Sequence, residues 1–336
     1  MTAPDTGSLA LDRDTPAKTG LFPLNIAIAN YDRTRPLIKG WVKGKGLAIT
    51  THTPEVRGDF CTKPVYEEYD AAEMSFSWYL EARDRNAGCM ALPIFPMRMA
   101  VMAYVFVRAD SGITKPSDLI GKRIGVRGYR YTVNLWLRGI FNDHYGLAPE
   151  QTTWVTAEDE NNGFVIPKGV NIELRRDSDS AENLKNGVVD AIYCTGIPDA
   201  FTRGEPWIRR LFLDTQGEMR DHFQRTGIMP ITHTFVMNKQ LTEREPWVAE
   251  SLYQAISDSQ RMCDEIYQTD PKLMSLYEAV FIVEQQKAAY GSTPYAHGVA
   301  PNRKIIETFV RYAHEQGYIS RQIPVEELFV PGTLTL

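Results

Sequence analysis

The sequence predicts an α/β fold with mixed, mostly parallel sheets, and three observations carry that expectation. Short, mostly apolar runs such as Leu24–Ala29 and Val188–Cys194 have the length of buried strands. Between them lie amphipathic stretches with helix stop signals, the alternation that builds parallel sheets. After the strand-like segment Ile228–Met237, only long helical patterns follow. The 336 residues amount to roughly two domains on a prior of ~150 residues each, and 43% hydrophobic side chains can bury a sizeable core.

In chain order, Leu24–Ala29 is expected to be a strand ending in the polar turn 30–36. Gly40, Gly44 and Gly46 punctuate the way to a short strand at Leu47–Thr50. The run 70–77 leads into a helical pattern from Trp78 to Asn86, which Ser75 or Ser77 can cap. Met99–Val107 reads as one fully buried strand, and Gly121–Val126 as another. In the helix that follows, Val133, Trp136, Leu137, Ile140, Phe141 and Tyr145 mark one face, and Gly146 supplies the stop. Ala181–Gly187 is a short helix before the strand 188–194. Helices starting at Pro246, Pro271 and Pro301 are expected to run to Tyr267, Ala289 and Gly317, because proline suits a first helical turn.

Composition excludes several classes. Acidic residues (42) outnumber basic ones (37), and a net charge of −5 offers no basic footprint for nucleic acid. The longest apolar run, Met99–Val107, has nine residues. That is about half of what a membrane-crossing helix needs, so no membrane partner is expected. Residues 1–20 read as a flexible tail without the basic-then-apolar pattern of an export signal. Cys61, Cys89, Cys194 and Cys263 form no CxxC pair, so neither a zinc site nor a disulfide framework is suggested. The expectation is a soluble, reduced, cytoplasmic protein that demands no cofactor and no metal, and for which a homo-oligomer is compatible.

The sequence holds no P-loop, dinucleotide fingerprint, HExxH or GxSxG motif. Candidate chemistry is more scattered. Residues 127–132 form a strand-to-helix turn where free N–H groups and the helix dipole favour an anion, with Arg127 and Arg130 adding charge. A solvated basic turn capped by Thr132 is the plainer alternative. Asp32, Arg33 and Arg35 follow the first strand, at the carboxyl end where α/β folds collect ligands, although a hydrophilic turn explains them too. Glu73 precedes a helix whose N-terminus lowers its pKa unless burial raises it. Arg98 interrupts an apolar segment and needs a partner, either Glu73 or a substrate carboxylate. His233 shares a strand face with Ile231 and Phe235, and serves there as a hydrogen-bonded core residue or as an acid–base group. The other five histidines lack metal-ligand spacing, and Cys194 reads as a small buried hydrophobe.

Several segments taken together resemble the 4,5-dihydroxyphthalate decarboxylase-like family, relatives of type 2 periplasmic solute-binding proteins. They include ANYDRTRPL (29–37), DAAEMSFSWYL (70–80), PIFPMR (93–98), SDLIGKRIGV (117–126), TGIMPITHT (226–234) and PWVAESLY (246–253), and the likeness runs in order from about residue 24 to 334. It places Asp32, Arg35, Glu73, Ser75, Arg98, Thr132 and His233 at positions of the family's pattern. The chain departs from that pattern after Arg98, across Arg127, Gly128, Arg130 and Tyr131, and by the extra pair Ala296–His297.

The resemblance implies a two-lobed, type 2 periplasmic-binding-protein-like fold with a two-strand hinge. Lobe one would combine 21–109 with 222–336, completed by the three late helices, and lobe two would span 110–221. The implied activity is non-oxidative decarboxylation of a hydroxylated aromatic carboxylate by ipso protonation. His233 is the preferred proton donor, and Glu73 or Asp32 would polarise a ring hydroxyl. Arg35 and Arg98 would hold the carboxylate, with Arg127 or Arg130 as a clamp from lobe two and Ser75 and Thr132 lining the site. The alternative is a solute-binding protein for an aromatic or heteroaromatic acid, which the fold supports equally.

Overall fold

The computed structural model describes residues 20–53, 67–160, 164–176, 178–291 and 294–336. Most of the tail expected at 1–20, and Cys61, lie outside the described residues. Strands β1 (Phe22–Ala27), β2 (Leu47–His52), β3 (Ala71–Ser75), β4 (Cys89–Arg98) and β11 (Ile231–Asn238) form one sheet in the order β2-β1-β3-β11-β4. Strands β5 (Val105–Arg108), β6 (Arg123–Val126), β7 (Thr153–Thr156), β8 (Asn171–Leu174), β9 (Ala191–Tyr193) and β10 (Ile208–Arg210) form the other, in the order β10-β5-β9-β6-β7-β8. Each sheet is mixed. β2-β1-β3 and β9-β6-β7-β8 pair in parallel, while β11, β5 and β10 run antiparallel to their neighbours. The architecture is α/β and two-lobed, one sheet to a lobe.

Two expected elements change on folding. Met99–Val107 is not one strand: a 3-10 turn at Val101–Tyr104 separates β4 from β5. The chain passes from one sheet to the other here, so an unbroken strand would have kept both halves in the same sheet. Val105–Arg108, which the expected crossing near 108–110 leaves in lobe one, pairs with β9 and β10 in the second sheet. The helix expected from Pro271 begins at Ala279, after a 3-10 turn at Pro271–Leu273. Helix Thr132–Tyr145, by contrast, starts and stops where its pattern says, with Gly146 in the left-handed conformation that the C-terminal stop requires.

The late helices do more than complete lobe one. Helix Arg303–Glu315 buries Ile305, Ile306, Phe309, Val310, Tyr312 and Ala313 along one stripe. Phe309 stacks on Phe76 of the first lobe at 5.0 Å and on Trp136 of the second at 4.7 Å between ring centroids. All three rings are fully buried. Gly139 meets the Tyr312 ring so closely that a Cβ there would overlap it. The C-terminal helix is thus a shared buttress for helix Phe76–Asp84 and helix Thr132–Tyr145, the two helices whose N-termini meet at the interlobe cleft.

Candidate active site

Sheet order places β3 between β1 and β11, so Glu73 is flanked by the turn after β1 and by His233. Phe235 lies opposite Glu73 and His233 opposite Ser75, which puts His233 diagonally across from Glu73 on one face. The His233 Nδ1 sits 2.5 Å from Glu73 Oε1. The Tyr31 hydroxyl donates to the same oxygen at 2.7 Å, and the Ala29 N–H donates to Oε2 at 3.2 Å. Thr34 pins this turn, accepting from the Tyr31 N–H at 2.9 Å and donating to the Ala29 carbonyl at 2.6 Å.

Burial by itself would raise the pKa of Glu73. The His233 ring, the Tyr31 hydroxyl and the Ala29 N–H outweigh it and hold the carboxyl below its ordinary 4.5. Glu73 therefore sits in the core as a carboxylate. Its side chain is 0% exposed, whereas that of His233 is 18% exposed, so the imidazole is the member of the pair that reaches the surface. An ionised Glu73 accepts a hydrogen bond from Nδ1–H and so sets the ring's tautomer, with the proton on Nδ1 and the lone pair on Nε2.

The second lobe meets this face through hydroxyls. The Ser75 Oγ lies 2.6 Å from Thr132 Oγ1, and the Ser77 Oγ lies 2.8 Å from the same atom. The Ser77 N–H also donates to Thr132 Oγ1 at 3.1 Å. Ser75 occupies the N-cap of helix Phe76–Asp84 without capping it through its side chain. A threonine from the opposite lobe takes the first-turn N–H instead, so closing the lobes completes a helix terminus.

The arginines expected to clamp an anion are already engaged. Arg130 is buried and grips Glu81 of lobe one, Nε to Oε1 at 3.2 Å and a terminal nitrogen to Oε2 at 2.5 Å, with its guanidinium 4.1 Å from the Trp78 ring. Arg127 is exposed and bonds Glu158 at 2.5 Å. The expected anion cradle at 127–132 does hold a carboxylate, but it is the protein's own: Glu160 accepts the N–H groups of Tyr129 and Arg130. The turn's geometry favours an anion as its sequence says, and a side chain ~30 residues downstream supplies it.

The turn after β1 is reorganised in a similar way. Arg35 is exposed and, among the described residues, bonds Asn30 at 3.3 Å. Asp32 faces helix Pro246–Thr269, where the Tyr267 hydroxyl donates to it. Neither stands beside Glu73. Arg33 turns inward instead, donating to the Pro96 carbonyl at 2.6 Å, with its guanidinium 4.2 Å from the Tyr31 ring and 4.4 Å from the Tyr295 ring. Arg98 does not pair with Glu73: it donates to the carbonyls of Met229 and Ala296 and to Asn302 Oδ1, the last at 2.6 Å. The structure thus brings together Glu73, His233, Ser75 and Thr132, while the side chains of Asp32, Arg35, Arg98, Arg127 and Arg130 bond other groups. Sequence reasoning passed over Tyr31 and Glu81. An aromatic residue set into a polar turn directly after a buried strand was the available signal for the first. Among the described residues, no group of three or more His, Cys, Asp or Glu side chains is placed to hold a metal ion.

Comparison with known proteins bears on this geometry. A scan against family models finds no match. A 4,5-dihydroxyphthalate decarboxylase from Comamonas testosteroni is 32% identical over 323 residues, covering 93% of this chain and 97% of that protein. One from Pseudomonas putida is 31% identical over 209 residues, covering 60% of this chain and 81% of that protein. In fold, the chain is similar to the periplasmic aliphatic sulphonate-binding protein SsuA of Escherichia coli, with a TM-score of 0.55 at 12% identity over 91% of each chain. It is also similar to the sulfonate-binding SsuA of Methylobacillus flagellatus, with a TM-score of 0.59 at 13% identity over 94% of this chain and 93% of that one. At such identities those likenesses establish the two-lobed fold, and the sequence relatives decide the family: the chain belongs to the 4,5-dihydroxyphthalate decarboxylases.

Proposed function

We propose that this chain is a carboxy-lyase that removes one carboxylate, without oxidation, from a hydroxylated aromatic acid of the 4,5-dihydroxyphthalate type. The observation that carries the proposal is the Glu73–His233 pair, a buried carboxylate locking an imidazole that is itself partly exposed. Breaking the ring–carboxylate bond directly would leave a ring carbanion, so the ipso carbon must gain a proton first. In this reading His233 delivers that proton from Nε2. A ring hydroxyl para to the departing group releases electron density as the carbon becomes tetrahedral. The C–C bond then breaks, its electron pair restores aromaticity, and CO2 leaves. The net reaction consumes one proton, which His233 recovers from solvent.

Glu73 is a positioning residue in this scheme: it fixes the tautomer and stabilises the charged imidazole. Arg33, the inward-facing cation of the β1 turn, takes over from Arg35 the role of holding the carboxylate, exchanging its 3.2 Å pairing with the exposed Asp32 for the substrate. The hydroxyl contacts among Ser75, Ser77 and Thr132 close the site and keep water from competing for the proton. Such an activity belongs to aromatic-compound breakdown, including phthalate degradation, and we place it in the cytoplasm. Solute binding without turnover is the second reading, and the SsuA-like fold supports it. The test is incubation of the protein with 4,5-dihydroxyphthalate and a panel of hydroxybenzoates while CO2 and the ring product are followed. Release of CO2 with a monocarboxylate product sustains the lyase reading. Saturable binding with no CO2 would replace it by the solute-binding one.

A further inference from the structure

A cavity of about 230 Å³ lies at the hinge, and none of Glu73, Ser75, Thr132 or His233 lines it. Both chain crossings contribute to its wall, the first through Met99–Met102 and the second through Ile228–Pro230. Most of the lining is apolar, from side chains such as Met102, Ile140, Met219 and Phe223. Two polar groups stand out against it. His222 is 2% exposed, and among the described residues neither of its ring nitrogens has a hydrogen-bond partner. Arg98 is 9% exposed, its Nε is unpartnered, and no carboxylate pairs with its guanidinium among the described residues. Unpaired polar atoms at this depth cost free energy that a ligand returns.

We propose that this cavity is a second ligand site, separate from the cleft, for a hydroxylated single-ring aromatic monocarboxylate. Size supports a single ring: about 150 Å³ of apolar cavity accepts benzene, so this one has room for a ring with small substituents. Charge supports one carboxylate, because among the described residues the acceptors that hold the buried cation Arg98 are all neutral. A hydroxyl fits His222, which burial, helped by His144 and Arg225, keeps neutral by pushing its pKa down to about 4. A neutral imidazole presents one donor and one acceptor, and a phenol can use either. Because both crossings line the cavity, occupancy would also bias how the lobes hinge. None of this depends on decarboxylation in the cleft.

The experiment is calorimetric titration of the full chain with 4-hydroxybenzoate, repeated on variants that fill the cavity, Met219→Trp and Ile228→Phe, and on the cleft variant His233→Ala. The expected result is saturable binding that persists in His233→Ala and weakens at least about tenfold in whichever filling variant keeps the wild-type circular dichroism spectrum. A shift of the His222 ring resonances on titration provides a readout that needs no substitution. Absence of binding by the wild-type protein overturns the proposal. So does binding that His233→Ala abolishes while the filling variants and the His222 resonances are unaffected.

Discussion

The two faces of the cleft handle charge in opposite ways. On the lobe-one face a carboxylate, Glu73, is buried and holds the partly exposed imidazole of His233 together with the Tyr31 hydroxyl and the Ala29 N–H. On the lobe-two face the charges are conspicuous in the sequence but cancelled within the protein: Arg130 by Glu81, Arg127 by Glu158, and the N–H cradle by Glu160. A cluster of arginines at a strand-to-helix turn therefore marks a place that favours anions without showing that the anion is a substrate. In the proposed mechanism lobe one contributes the proton chemistry, and lobe two contributes the latch.

The largest expected effect tests the chemical face. His233→Ala should lower kcat by about 10²–10⁴-fold while leaving the far-ultraviolet circular dichroism spectrum unchanged. Full activity in that variant would remove His233 as proton donor. Next in size is the latch. Arg130→Ala strips buried Glu81 of its nearer counter-ion, leaving Arg85 at 3.6 Å, and should cost up to about 3–5 kcal/mol in urea unfolding. The double variant Arg130→Met with Glu81→Leu should recover much of that loss, since the pair's worth is offset by its desolvation. Equal losses in both would mean that the packing of Arg130 on Trp78, and not its charge, closes the lobes.

Glu73→Gln separates a charged dyad from a neutral one. Because the folded protein holds the Glu73 pKa below its ordinary 4.5, the carboxylate contributes stability that is present above pH 4.5 and is lost as the pH falls below it. The wild type should therefore lose stability more steeply than Glu73→Gln over that acid range, and equal slopes in thermal melts would contradict an ionised Glu73. Thr132→Val keeps the shape but removes the hydroxyl shared by Ser75 and Ser77, at a cost of about 1–2 kcal/mol. The smallest effect is expected at Arg127→Ala: its bond to Glu158 is exposed on both sides and worth about 0–1 kcal/mol, so both melting temperature and KM should stay near wild type. A clear rise in KM there would return Arg127 to the substrate.

Local pattern was enough for much of the architecture. A 3.6-residue apolar period and a terminal glycine define helix Thr132–Tyr145, and short apolar runs mark β1, β6 and β9, because these signals act within a few residues. Glu73 and His233 were legible only as isolated chemical groups: a carboxylate read in the turn before a helix, where the structure has strand β3, and a histidine on a strand face. That they are each other's partner was not legible. They are 160 positions apart, and only the antiparallel register of β11 on β3 brings them together.

The arginines show the same divide from the other side. Sequence by itself placed Arg33, Arg35, Arg127 and Arg130 in turns that follow strands and Arg98 at the end of an apolar segment. It could not say which of two arginines in one turn points inward, because a turn has no period to sort its side chains. Only the tertiary structure decided that Arg33 packs between Tyr31 and Tyr295 while Arg35 stays in solvent, and that Arg98 leaves Glu73 for Asn302. Those choices depend on the desolvation and pairing of charges contributed by distant segments, and such segments become neighbours only when the chain has folded.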